Sequence, residues 1–228
     1  MKKRLKTNGV VIVAGLVVAA CFSRFFFARY SSSRLDLVLD MCGIAAIMFG
    51  QLLRVCGRGY KAASSRQGGR LVQDGPYAIV RNPMYLGILL IGLGIVMAVF
   101  RWWVALVFAG IFILRYVVLM RSEERKLAVF FGAEYAQYCR RVPRLFPRIT
   151  SCVPHTILAA LPLKAAWIKK EIGTMLAALL PVIAIDMWND IGAYGSRVVL
   201  AESIGFIAII GAYAIFFRIL IRRTSRHG

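Results

Sequence analysis

The stretch Gly75–Gly87 reads GPYAIVRNPMYLG and lies between two apolar runs. Gly-Pro and Asn-Pro are both turn signals, and a residue that precedes proline is driven out of the helical region. We therefore expect Gly75 and Asn82 to be non-helical, with Pro83 in the first turn of the next helix and Asn82 as its N-cap. A constrained polar loop that leads into a helix N-terminus is a suitable place to hold an anionic group.

A second block of polar and aromatic residues follows farther along the chain. Glu123 and Glu124 come first, then FGAEYAQY at 131–138 and VPRLFP at 142–147. Apolar and aromatic side chains recur every three or four residues between 121 and 141, which predicts a helix that leaves the membrane and has one apolar face. The prolines of VPRLFP end this helix and favour an extended segment.

Taken together, the two blocks resemble the signature of the isoprenylcysteine carboxyl methyltransferase family and its phospholipid methyltransferase relatives. The resemblance covers residues 70–150, with one helical hairpin between the blocks. It implies an integral membrane enzyme that uses S-adenosylmethionine. The chain departs from the pattern at Asn82, where the eukaryotic enzymes resemble one another in having histidine, and this departure concerns the substrate more than the cofactor.

Composition points to the membrane independently of the motifs. The chain has 228 residues, of which 60% are hydrophobic, and its mean hydropathy is +0.70. These values are too apolar for an ordinary soluble domain and indicate a protein with several spans. The net charge of +20 does not indicate nucleic acid, because the basic residues cluster at the ends of apolar runs. Such clusters face the anionic lipids of an inner leaflet.

The apolar runs predict an all-α, polytopic membrane protein with about six transmembrane helices. The resemblance implies, in addition, a cofactor pocket, which we expect on the cytoplasmic side. The predicted spans are Val10–Phe27, Leu37–Leu53, Met84–Phe100, Trp102–Met120, Ile172–Trp188 and Val198–Leu220. The third and fourth are separated only by Arg101 and form a tight hairpin, and the glycines at 92 and 94 indicate close helix packing.

Three regions follow from this pattern. Residues 1–69 hold two spans and most of a basic, Gly/Ser-rich segment, Arg54–Gln73, that we interpret as a mobile cytoplasmic loop. Residues 70–150 are the part that the resemblance implies is the methyltransferase core. Residues 151–228 hold a connector, expected to lie on the membrane surface, and two further spans. Most of the 30 Lys and Arg residues fall on one side of this arrangement, which predicts that both termini and both motif blocks are cytoplasmic, in an inner (cytoplasmic) membrane.

The sequence gives little support for a metal site or for a catalytic triad with a nucleophilic side chain. The five cysteines form no Cys-x-x-Cys motif, and His155 and His227 are the two histidines of the chain. We therefore expect no metal site and no Ser-His-Asp triad.

The resemblance assigns cofactor contacts to the Arg-x-Pro-x-Tyr loop, the paired glutamates and the Val-Pro-Arg-x-x-Pro segment. Exposed amides at a helix start can take the carboxylate of S-adenosylmethionine, a glutamate can pair with its amino group or sulfonium, and aromatic rings can enclose its adenine or sulfonium. The candidate cofactor-binding residues are Gly75, Pro76, Tyr77, Arg81, Asn82, Pro83, Tyr85, Glu123, Glu124, Tyr135, Tyr138 and Leu145.

The methyl acceptor stays open at this point. A carboxylate is ionised at pH 7 and needs no general base, and a guanidinium holds it with two hydrogen bonds. Arg144 and Arg81 are the candidates for that role, with Arg121 a weaker third. With an amine acceptor, Glu124 could take the proton instead.

Three functions remain for this fold. The first is carboxyl O-methylation of an isoprenylcysteine-like or other lipophilic acid, and the second is amine N-methylation of a phospholipid. The third is a non-catalytic membrane binding protein. The expected partners are membrane lipids and a lipophilic or prenylated substrate that enters sideways from the bilayer, with no nucleic acid and with the oligomeric state left open.

Overall fold

The computed structural model describes residues 34–64, 69–148, 161, 163–194 and scattered positions between 207 and 222. Its regular elements are the helices α1 (Arg34–Ser64), α2 (Pro76–Ile79), α3 (Pro83–Val99), α4 (Trp102–Arg141) and α5 (Ala165–Tyr194). The prediction of an all-α chain is confirmed for this part. The predicted first span lies outside the described residues, as does much of the sixth.

Two helices are long and apolar enough to cross a membrane, judged by length and composition. They are Met41–Ser64 within α1 and the whole of α4, and α3 is a shorter apolar helix. Leu106, Leu114 and Val118 on α4 are exposed, as expected of a helix that faces lipid. The described residues thus support a membrane protein, and the count of six spans stays a prediction.

Helices α1 and α3 cross at a contact made by facing glycines. A Cβ added to Gly50 would lie 2.6 Å from the carbonyl oxygen of Gly87, and one added to Gly43 would lie 2.8 Å from that of Gly94. Larger residues would push the backbones apart, so small residues set the distance between these helices. The close packing predicted for the glycines of α3 is confirmed.

The hairpin between α3 and α4 is as tight as predicted. Helix α3 ends at Val99 and α4 begins at Trp102, with Arg101 in extended geometry as its N-cap residue. The predicted fourth span and the predicted surface helix belong to one element of 40 residues, with no break where the prediction divided them, between Met120 and Arg121. It is interrupted only at Gly132, where φ is 51° and ψ is −119°, a backbone conformation that glycine tolerates far better than other residues.

The prediction of a loop from Arg54 to Gln73 is wrong for its first half, because α1 continues to Ser64. Val55 and Cys56 are fully buried and hold this part of the helix in the core. The glycines that suggested a loop are contact points instead. Gly57 packs against Met84, and the ring of Trp167 from α5 fills the space beside Gly59.

The predicted surface connector is also wrong where it is described. Leu161 and Leu163 are almost completely buried in the same cluster as Leu86 and Met120. Helix α5 then begins at Ala165, earlier than the predicted fifth span, and packs on α1. Leu161 and Leu163, two positions apart in the chain, thus pack into the hydrophobic core.

Buried polar contacts join α5 to α1. Glu171 is 6% exposed, pairs with Arg58 of α1 and accepts a hydrogen bond from Thr174. Gln51, which is also buried, donates to the carbonyl oxygen of Thr174 at 3.3 Å. A buried carboxylate with these partners fixes the position of α5 along α1.

Candidate functional site

A cavity of about 270 Å³ lies between the loop that precedes α3 and the second half of α4. Both sequence blocks therefore face the same space. The cavity is lined by Lys61, Arg70, Leu71, Val72, Tyr77, Arg81, Asn82, Pro83, Met84, Tyr85, Glu123, Glu124, Leu127, Phe131, Tyr135 and Tyr138.

The loop takes its shape from glycine and proline. Gly75 has φ 61° and ψ −135°, and Pro76 opens the single turn of α2. Val80 then returns to extended geometry, and the N–H of Arg81 donates to the carbonyl oxygen of Pro143 at 2.8 Å. This bond ties the loop to the segment that follows α4. The prediction that Gly75 is non-helical is confirmed.

Asn82 is non-helical, as predicted, but it is not a side-chain cap for α3. Its side-chain amide donates instead to Glu124 Oε1 at 3.3 Å and to the carbonyl oxygen of Arg144 at 3.1 Å. Its own carbonyl accepts the N–H groups of Tyr85 and Leu86 at the start of α3. The Asn82 side chain thus joins the two sequence blocks, because both acceptors lie within its reach and the helix start is satisfied by backbone groups.

Arg144 holds Glu124 with both arms of its guanidinium. Nε lies 3.1 and 3.0 Å from the two carboxylate oxygens of Glu124, and Nη2 lies 2.7 Å from Oε2. These hydrogen bonds raise the pKa of the Arg144 guanidinium above its ordinary value. The two-pronged grip that the sequence predicts for a substrate carboxylate is used here on a carboxylate of the same chain.

Arg81 approaches the same carboxylate from the loop. Its Nη1 lies 3.5 Å from Glu124 Oε1 and donates to Cys139 Sγ at 2.6 Å. Its Nε is buried and has no hydrogen-bond partner among the described residues. Glu124 is 8% exposed, so two guanidinium groups and one amide surround a buried charge. Such a charge is tolerated because it is paired.

Tyrosine hydroxyls fix the walls of the cavity. The Tyr138 hydroxyl donates to the carbonyl oxygen of Tyr77 at 2.8 Å, and the Tyr77 hydroxyl donates to that of Gly57 at 3.3 Å. Burial, and then the nearby charge of Glu123, raise the pKa of the Tyr77 phenol above its ordinary value, so it stays neutral. The Tyr85 hydroxyl donates to Glu123 Oε1 at 2.9 Å. The rings of Tyr77, Tyr85 and Tyr138 are thus each held by a hydrogen bond from the hydroxyl group.

Most of the predicted cofactor-binding residues line this cavity. Gly75, Pro76 and Leu145 do not: Gly75 lies against the ring of Tyr60, and Pro76 and Leu145 are buried. Arg144 is not a lining residue either, and reaches the cavity through Glu124. The lining residues among those predicted are Tyr77, Arg81, Asn82, Pro83, Tyr85, Glu123, Glu124, Tyr135 and Tyr138.

Sequence reasoning missed one side of the cavity. Lys61 comes from the last turn of α1, and Arg70, Leu71 and Val72 come from the segment just before Gly75. These residues fall in the region that was expected to be a mobile loop. The sequence offered one signal for Arg70, Leu71 and Val72, which is that they directly precede the Gly75-Pro76-Tyr77 turn. Residues that lead into a binding loop lie close to the edge of the site.

Comparison with known proteins shows which families this chain resembles. Residues 41–134 match the phospholipid methyltransferase family. The chain is 30% identical over 132 residues to the protein-S-isoprenylcysteine O-methyltransferase of Schizosaccharomyces pombe, covering 53% of this chain and 56% of that protein. The resemblance inferred from the two motif blocks, to isoprenylcysteine and phospholipid methyltransferases, is therefore confirmed.

Two bacterial relatives carry other names. The chain is 39% identical over 140 residues to the cobalt-zinc-cadmium resistance protein CzcN of Cupriavidus metallidurans, covering 61% of this chain and 62% of that protein. It is 34% identical over 107 residues to the nickel-cobalt-cadmium resistance protein NccN of Alcaligenes xylosoxydans xylosoxydans, covering 45% and 49%. The chain thus spans about half to three-fifths of the length of these relatives. No solved structure matches it.

Proposed function

We propose that this protein is an integral membrane methyltransferase that uses S-adenosylmethionine to methylate the carboxylate of a lipophilic acid, such as an isoprenylcysteine-like compound. The observation that carries the proposal is the shared cavity. The Arg81–Tyr85 loop and the Glu123–Tyr138 face of α4 line one space of about 270 Å³, close to the lower limit of about 300 Å³ for ligand pockets.

The lining residues suit the groups of S-adenosylmethionine. That molecule has two cationic groups, one carboxylate and an aromatic base, and the cavity offers Glu123, Arg81 and four tyrosine rings. Because Glu124 is occupied by Arg144 and Arg81, we assign the cationic part of the cofactor to Glu123. The tyrosines suit the base and the sulfonium through stacking and cation–π attraction.

When bound, S-adenosylmethionine supplies a methyl group whose bond to sulfur breaks as its bond to the acceptor oxygen forms. An ionised carboxylate releases no proton in this reaction, so the chain needs to position the acceptor and exclude water. Arg81 can contribute to this task from the cavity wall, where its pairing with Glu124 fixes its guanidinium. Arg144 and Glu124 hold Arg81 in place.

Amine methylation is the second candidate, and the phospholipid methyltransferase match favours it. It requires a group that accepts a proton. Glu124 is poorly placed for that, because both of its oxygens already accept hydrogen bonds from Arg144, and Asn82 donates to one of them. Glu123, which is exposed and accepts one bond from Tyr85, would be the base in that reaction.

The experiment uses the full chain in lipid nanodiscs. Calorimetry measures binding of S-adenosylmethionine, and transfer of a labelled methyl group is then measured with N-acetyl-S-farnesylcysteine and with phosphatidylethanolamine as acceptors. We expect cofactor binding and transfer to the acid. Transfer to the amine lipid alone would replace the proposal with its second candidate, and binding without any transfer to either acceptor would favour a binding protein.

A further inference from the structure

Two cations at the rim of the cavity lie outside both motif blocks and pair with no acidic residue of either block among the described residues. Lys61 ends α1 and Arg70 lies on the segment that leads to Gly75; both line the cavity and both are exposed. We propose that Lys61 and Arg70 bind the carboxylate of the lipophilic acceptor and so determine its specificity. This inference rests on the proposed function and names the residues that select the substrate class.

The charges of the cavity require an anion besides the cofactor. Three cations line it, Lys61, Arg70 and Arg81, against the two acids Glu123 and Glu124. Arg144, from outside the lining, already neutralises one of these acids, Glu124. S-adenosylmethionine brings one carboxylate and two positive charges, so its binding adds net positive charge. An anionic acceptor relieves this excess, and a neutral or cationic acceptor does not.

Arg144 is not available for the acceptor. Its guanidinium is committed to Glu124 by three hydrogen bonds. Withdrawing it would leave a buried carboxylate short of its main partner, at a large cost in free energy. Neither Lys61 nor Arg70 has such a commitment to another described residue, so binding an acceptor there would break none of the contacts that the described residues make.

The rim also has the polarity that a lipophilic acid needs. Leu71, Leu127 and Phe131 line the same cavity as the two cations. Lys61 stands in the last turn of a candidate membrane span, where a lipid in the bilayer would present its ionised head. A cavity that combines apolar and basic lining residues near a span end matches a long apolar tail with a terminal carboxylate.

The test measures binding without turnover. Full-length protein in phosphatidylcholine nanodiscs, saturated with S-adenosylhomocysteine, is titrated with N-acetyl-S-farnesylcysteine, with its neutral carboxamide and with farnesyl monophosphate. For the double variant Lys61→Gln/Arg70→Gln we expect acid binding to weaken about tenfold or more, the scale of charge-assisted hydrogen bonds. Carboxamide binding and S-adenosylhomocysteine affinity should stay at wild-type values.

The matched control is Lys126→Gln/Arg141→Gln, which removes two exposed cations that do not line the cavity. It should bind the acid as wild type does. Equal losses in both double variants would mean general electrostatics and overturn the assignment. Failure of the wild type to bind the acid, or a loss confined to farnesyl monophosphate or to S-adenosylhomocysteine, would overturn it too.

These outcomes are separate from those that test methyl transfer. Wild-type protein that binds the acid through Lys61 and Arg70 without methylating it would contradict the proposed function and leave the assignment standing. Normal methylation of the acid by the Lys61→Gln/Arg70→Gln variant, with an unchanged KM, would uphold the function and refute the assignment.

Discussion

At the scale of single residues, Glu123 and Glu124 are neighbours with different surroundings. Glu124 is buried among Arg144, Arg81 and Asn82, whereas Glu123 is exposed and accepts one hydrogen bond from Tyr85. Adjacent helical positions point in directions about 100° apart, so only one of the pair can face inward to the same partner. We therefore assign Glu124 to the ion pairs inside the protein and propose Glu123 as the acid that contacts the ligand.

The substitutions Glu123→Gln and Glu124→Gln should therefore have different effects. For Glu123→Gln we expect S-adenosylmethionine affinity to fall by about 1 kcal/mol, the low end for a charged hydrogen bond at a solvated group, with an unchanged melting temperature. Calorimetry and a thermal melt in detergent measure the two quantities. An unchanged cofactor affinity would remove Glu123 from the binding site.

For Glu124→Gln we expect loss of folding stability of about 1–3 kcal/mol, because two guanidinium groups lose their anion. Arg144 is 38% exposed and regains water, which limits the cost. The thermal melt should therefore shift downward even without cofactor. A full melting temperature together with weakened cofactor binding would instead assign Glu124 to the ligand.

The substitution Arg144→Lys tests whether the paired hydrogen bonds of the guanidinium to Glu124 matter, beyond its positive charge. Lysine keeps the positive charge but cannot make the parallel contacts to both oxygens of Glu124. We expect turnover to fall more than S-adenosylmethionine affinity, because Glu124 and Arg81 lose their fixed positions next to the acceptor. Single-turnover kinetics together with calorimetry separate the two effects. A variant with normal turnover, or one defective only in cofactor affinity, would contradict this positioning role.

At the scale of elements, the sequence predicted the α3–α4 hairpin and the turn residues well because proline and glycine act locally. Gly75 and Asn82 are non-helical, as prolines at the next positions require. The sequence-based prediction was wrong for glycines, because glycine occurs both in loops and at close contacts between helices. Gly57 and Gly59 resemble loop glycines, but they are helical residues that allow Met84 and Trp167 to approach. Partners distant in the chain decide between these uses, and spacing does not reveal them.

The glycine contact between α1 and α3 can be tested with a matched pair. In Gly50→Ala the new methyl group would lie 2.6 Å from the carbonyl oxygen of Gly87, so the helices must separate, and overpacking of this kind costs about 1–3 kcal/mol. The control is Gly110→Ala on α4, where nothing lies within 4 Å of the added carbon. We expect a lower melting temperature for the first variant and an equal or higher one for the second. Equal melting temperatures would contradict the close approach.

At the scale of the whole molecule, the distribution of basic residues along the chain can be interpreted from the sequence without knowledge of the fold. Most of the 30 basic residues border apolar runs, and the cavity rim includes two of them, Lys61 and Arg70. Ion pairs such as Arg144 with Glu124 lie 20 residues apart and depend on how the chain folds back. Sequence therefore yields a prediction of the side of the membrane where the site lies, and the structure is needed to show which cations have anionic partners.

The charge distribution predicts that the site faces the cytoplasm, because loops rich in Lys and Arg are retained on that side. The test uses a cysteine-free chain in intact cells with a membrane-impermeant thiol reagent. A cysteine at Ser64, the end of α1 and near the cavity rim, should be protected until the cells are opened. One at Asn189, near the far end of α5, should react from outside. S-adenosylmethionine is made in the cytoplasm. Labelling of the Ser64 position from outside would mean that the cavity faces the other side of the membrane, where the cofactor is not made. That result would contradict both the topology and the proposed function.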